Sequence, residues 1–109
     1  MNILIRGELT VELESGLRIN TRLIELLRIV EETGSLNTAV KELGLSYSYA
    51  WNTLYKINCQ LEMPLIITKR GGKGGGVAHL TEAGKSLIRQ YEALKQDFEA
   101  FLQTHKIAI

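Results

Sequence analysis

Leu9, Val11 and Leu13 alternate with Thr10, Glu12 and Glu14, the period of two that a half-buried strand requires. Ser15-Gly16 supplies a turn and Leu17-Arg18-Ile19 returns, so residues 3–19 are expected to be β structure folded as a hairpin. Scaffold or a dimer contact suits such a hairpin better than a ligand site. The period then lengthens. Leu23, Leu26, Leu27 and Val30, widened by Ile24 and Ile29, recur at the three- and four-residue spacing of an amphipathic helix. Asn20 or Thr21 can cap it, and it ends near Glu32, because Gly34 accepts the left-handed conformation at a helix C-terminus. Ser35 opens a second helix over Leu36–Leu43 that buries Leu36, Ala39, Val40 and Leu43, and Gly44 stops it. After Leu45, Ser46 caps a third helix over Tyr47–Gln60 with Ala50, Leu54, Ile57 and Leu61 inward and Trp51 as a core anchor.

Beyond Pro64, Leu65-Ile66-Ile67-Thr68 forms a compact apolar strand and Val77-Ala78-His79-Leu80 returns, with five glycines and Lys73 between residues 71 and 76. A phosphate loop for a nucleotide would need Gly-Lys followed by Ser or Thr at the start of a helix; here Gly74 follows Lys73 and a strand comes next. A flexible hairpin tip is the better reading. Thr81 caps a last helix reaching about Thr104. Along it Leu87, Tyr91, Leu94, Phe98 and Phe101 are spaced four, three, four and three, a heptad seam that either packs within the monomer or pairs two subunits, and the length of helix past the core favours the pairing.

The chain has 109 residues, 45% hydrophobic and 23% charged, the composition of one small domain and too little material for a separate catalytic domain with its own pocket. One cysteine, Cys59, excludes an internal disulfide, fits a reducing cytoplasm and reads as a small buried side chain. His79 and His105 stand far apart without clustered carboxylates, so no metal and no cofactor are expected, and no nucleophile–base or carboxylate pair points to an enzyme. No apolar run is long enough to span a membrane, and the N-terminus lacks a signal-peptide pattern. Localisation to the cytoplasm, at a bacterial or archaeal nucleoid, follows as the expectation.

Charge is uneven: residues 1–32 carry a net −2, residues 33–91 a net +4 and the remainder −1. A basic middle suits contact with a polyanion. The connection Gly44-Leu45-Ser46 is too short for a long antiparallel hairpin; the turn alone fits either a helix-turn-helix or a generic bend between core helices. The outward residues of the third helix, Tyr47, Ser48, Tyr49, Asn52, Thr53, Tyr55 and Lys56, can hydrogen-bond, and no acid follows until Glu62. Asn pairs bidentately with adenine, and a helix N-terminus holds phosphate. Lys69, Arg70 and Lys73 would bring charge to a glycine tip whose bare backbone can approach a phosphate strand.

Helix, helix-turn-helix, two-stranded wing and long helix together make a winged helix-turn-helix, mainly α with small β. At Ser46-Tyr47, Ala50-Trp51, Asn58, the glycine-lysine tip of residues 71–76 and Leu80-Thr81, the chain closely resembles the N-terminal DNA-binding domain of ModE-type, molybdate-responsive transcriptional regulators. More distantly it resembles LysR-type winged helices, in which a Leu-Thr-Glu-Ala-Gly segment like residues 80–84 follows the wing. The resemblance covers about residues 20–104. It implies a homodimer on an inverted-repeat promoter site in double-stranded DNA, with the third helix in the major groove and the wing, residues 69–77, on the backbone. The DNA-facing positions it carries over are Ser46, Tyr47, Ser48, Tyr49, Asn52, Lys56, Arg70 and Lys73. Ser35, Thr53, Lys69, Gly72 and Gly74 complete the candidate set, and Leu87, Tyr91, Leu94, Phe98 and Phe101 are the candidate dimer contacts.

Full-length ModE-type regulators continue into oxyanion-binding β domains, whereas this chain ends at Ile109. The expectation is therefore a single domain over 1–109 without its own effector domain: a hairpin (1–19), a helix-turn-helix with wing (20–80) and a dimerisation helix (81–109), with a separate effector-sensing protein as a candidate partner. Positions 48, 49 and 52 carry Ser, Tyr and Asn where the better-known members differ, so no operator sequence carries over. The competing reading is a protein-interaction module that uses the winged fold and the last helix, with only nonspecific affinity for DNA.

Overall fold

Each helix begins where a short polar side chain accepts a hydrogen bond from an otherwise free amide. In the computed structural model, which describes residues 3–69 and 76–109, the helices are α1 (Thr21–Thr33), α2 (Leu36–Leu43), α3 (Tyr47–Gln60) and α4 (Glu82–Gln103). Their caps are Asn20, Ser35, Ser46 and Thr81, which accept from the amides of Leu23, Thr38, Tyr49 and Gly84 at 2.9–3.1 Å. Each cap contributes about 1 kcal/mol. Gly34 and Gly44 close α1 and α2 with φ of 71° and 67°, a region that side chains avoid. The Leu45 amide turns back to the Val40 carbonyl at 2.9 Å, so the bend between α2 and α3 is itself hydrogen-bonded.

The core lies where α1 crosses the other helices. Leu23, Ile24, Leu26, Leu27 and Val30 of α1 pack with Leu36, Ala39 and Val40 of α2 and with Ala50, Leu54 and Ile57 of α3. Burying one such aliphatic side chain contributes about 1.5–3 kcal/mol. Leu43 and Leu61, expected inside, are half-buried at its margin. A short antiparallel hairpin, β1 (Val11–Glu12) with β2 (Arg18–Ile19), and the wing, β3 (Ile66–Lys69) with β4 (Val77–Leu80), complete the architecture. In the wing Ile66 faces Leu80 and Lys69 faces Val77. The result is the winged helix-turn-helix read from the sequence.

Four expectations need correction. The alternation of Leu9, Val11 and Leu13 survives as half-buried positions, but only two residues pair on each side of the first hairpin. Residues 3–10 instead run along α4: a Cβ on Gly7 would come within 2.7 Å of Phe98 Cζ, and Leu9 offers its carbonyl to Tyr91. Helical side chains thus take the place of a partner strand. Trp51 is not a core anchor; it is 38% exposed and stacks on Tyr55 with ring centroids 5.3 Å apart. Cys59 lies on the exposed side of α3.

The fourth correction concerns the seam of α4. Tyr91 is 2% exposed; its hydroxyl lies 2.7 Å from Thr21 Oγ1 and donates to Leu9 O at 2.8 Å, so the side chain is spent inside the protomer. Leu87 packs on the same core, Ile88 is buried beside it, and Phe98 is half-buried under the N-terminal segment. Leu94 and Phe101 are left exposed. A straight helix drifts about 20° per heptad, so positions at heptad spacing turn away from a common face. The outer part of α4 stands clear of the core, and the radius of gyration, 16.4 Å, exceeds the roughly 13 Å expected for a compact chain of this length.

Candidate nucleic-acid interface

With Ala50, Leu54 and Ile57 turned inward, α3 presents Tyr47, Ser48, Tyr49, Asn52 and Lys56 to solvent, and Thr53 half-exposed. Tyr47, Ser48 and Asn52 share a cleft of about 330 Å³ with Thr68, Lys69 and Val77 of the wing. The structure therefore brings four candidates, Tyr47, Ser48, Asn52 and Lys69, to one concave surface. Tyr49 and Thr53 line a different cleft on the far side of α3. Ser35 and Ser46 are both engaged as caps, which leaves each hydroxyl able to donate outward. Arg70, Gly72, Lys73 and Gly74 lie outside the described residues.

The wing is fixed to α3 and to the α1–α2 corner by polar bonds. Asn58 donates from Nδ2 to Ile66 O at 3.2 Å and accepts from the Leu65 amide at 2.8 Å, so one amide side chain ties α3 to the root of β3. Ala78 donates its amide to Gly34 O at 2.9 Å. Thr81 Oγ1 donates to Pro64 O at 2.5 Å, and the Thr81 amide reaches Leu65 O at 3.0 Å. Asn58→Ala would leave a peptide N–H and a C=O without partners in a half-buried place, a loss of about 1–2 kcal/mol. Hydrogen exchange at the Leu65 amide should accelerate while the amides of α1 keep their protection; unchanged exchange at Leu65 would mean that Asn58 does not hold the wing.

Sequence reasoning missed two features here. Tyr47, Trp51 and Tyr55 recur every four residues, the spacing of one stripe along a helix, and that signal was available. The Asn58 clamp left no such trace, since its partners lie seven and eight residues further on and depend on how the chain returns. Among the described residues no three His, Cys, Asp or Glu side chains gather as metal ligands, and no helix is long and apolar enough to cross a membrane.

A helix-turn-helix whose second helix exposes a polar, acid-free face beside a two-stranded wing defines a class of DNA-binding proteins. The family model described as the bacterial regulatory helix-turn-helix protein, lysR family, matches residues 21–85, and the chain belongs to that family. It is 41% identical over 86 residues to the transcriptional regulator ModE of Yersinia pestis, an alignment spanning 79% of this chain and 33% of that protein. It is 39% identical over 88 residues to the DNA-binding transcriptional dual regulator ModE of Escherichia coli K12, covering 81% of this chain and 34% of the other. The molybdenum-pterin-binding protein MopB of Rhodobacter capsulatus is 40% identical over 81 residues, 74% of this chain and 30% of its own length. The chain thus spans about a third of the length of the curated relatives it matches.

Proposed function

We propose that this chain binds double-stranded DNA as a homodimeric transcriptional regulator, with α3 in the major groove and the wing along the adjoining backbone. The observation that carries the reading is the surface that Tyr47, Ser48 and Asn52 of α3, a helix that bears no acidic residue, share with Lys69 of the wing. Asn52 reads base edges, and Lys56 and Lys69 neutralise phosphates. Ser35 and Ser46 position backbone amides at two helix starts, and Arg70 and Lys73, which follow β3 in the sequence, add positive charge. The names of the ModE relatives favour the same role. Exposed Leu94 and Phe101, on the part of α4 that leaves the core, are the contacts assigned to the second subunit.

Selection of duplexes from a random pool at about 150 mM salt, where purely electrostatic binding is weak, tests this. An inverted repeat with half-sites about one helical turn apart is expected. Asn52→Ala should reduce discrimination by about 1–3 kcal/mol at one position of each half-site while leaving the fold intact. Binding without sequence enrichment would overturn the regulator reading in favour of a protein-interaction module.

A further inference from the structure

Tyr47, Ser48, Trp51 and Asn52 look toward the wing, while Tyr49 and Thr53 look the opposite way. At about 100° per residue Tyr47 and Trp51 lie on the opposite flank of α3 from Tyr49 and Thr53. The exposed face carrying Asn52 and Lys56 runs between them. On the flank away from the wing, Tyr49 and Thr53 share a cleft of about 80 Å³ with Arg18, Asn20 and Arg22. Both arginines come from the stretch whose net charge is negative, and the fold carries them to the side of the recognition helix that has no wing.

Their states suit a phosphate. Arg22 bonds through Nη2 to the Leu43 carbonyl at the end of α2, which fixes the guanidinium beside the turn while its remaining N–H groups stay available. Arg18 pairs with Glu12 at 3.1 Å, with the two side chains 72% and 55% exposed. An ion pair so exposed is easily exchanged for another anion. A major groove is bordered by two sugar-phosphate strands, and the wing serves only one of them. We propose that Arg18 and Arg22 form a phosphodiester-binding edge for the second strand, so that α3 enters the groove bracketed by cations on both sides. This rests on the reading of α3 as the recognition helix.

The test is the salt dependence of affinity for a duplex of about three helical turns with no related sequence, and for the duplex that the selection enriches. Each phosphate that is no longer neutralised should lower the slope of log K against log salt by about 0.9. Arg18→Gln and Arg22→Gln should each do so per bound protomer, weakening both duplexes alike, and Arg22→Lys should regain the slope. A purely structural Arg22 that only caps α2 would change the melting temperature and leave the slope alone. Should Arg22→Gln fail to fold, Arg18→Gln decides, since Arg18 is an exposed residue of the short hairpin. Folded variants with wild-type slopes, alongside an Asn52→Ala protein that loses discrimination, would overturn the edge and leave α3 as the reader. An Asn52→Ala protein that keeps full discrimination would overturn the reading of α3, and the edge with it.

Discussion

Tyr91→Ala should cost about 3–5 kcal/mol, because it removes a large buried aromatic and leaves a cavity where α4 meets α1. Tyr91→Phe separates the ring from the hydroxyl. It keeps the packing but deprives Thr21 and the Leu9 carbonyl of their shared partner, at about 1–2 kcal/mol. Urea denaturation should show both as lower midpoints at similar slope. The hydroxyl also ties the N-terminal segment to the two helices, so hydrogen exchange around residues 9–11 should rise in Tyr91→Phe. A Tyr91→Ala protein as stable as wild type would mean that the ring is not buried in the protomer.

Gly84→Ala has the next largest expected effect, and its sign is informative. In an unpacked first turn of a helix, alanine in place of glycine stabilises by about 1 kcal/mol. Here Gly84 is buried against Leu65, just before β3: an added Cβ would overlap the Leu65 carbonyl oxygen and stand 3.1 Å from its carbon. That oxygen already accepts from the Thr81 amide at 3.0 Å, so it cannot move without loosening the joint between wing and α4. Overpacking against a fixed backbone outweighs the helical gain, for a net loss of about 2–3 kcal/mol. The melting temperature should fall by roughly 10–20 °C. A rise would show that α4 starts free of the wing.

The parts of the fold legible in the sequence are those whose cause is local. Ser35, Gly44 and Ser46 delimit α2 and α3 because a cap and a left-handed glycine act within four residues of themselves. The wing was legible for a similar reason, since two apolar runs flank a glycine segment. Residues 3–10 were misread because an alternating pattern records which side is covered and not what covers it; the cover is a helix some ninety residues away. Trp51 was misread because its neighbour Ala50 faces inward, although adjacent residues on a helix point about 100° apart. Of the candidate site, the polar face of α3 followed from subtracting its apolar side. Arg18 and Arg22 could not, because counting charge along the chain assigns them to an acidic stretch, and only the folded chain sets β2 and the start of α1 beside Tyr49.

The bonds from Thr81 to Pro64 and Leu65 join the root of α4 to the wing, and the 22 residues of that helix carry Leu94 and Phe101 away from it. Such a helix is a stiff rod about 33 Å long. In the dimer proposed above, a tilt of about 6° at its root would displace its tip by about 3.4 Å, the rise of one base pair. The rod then works as a spacer: in that dimer, the angle at which Thr81 seats it sets the span between the two reading heads.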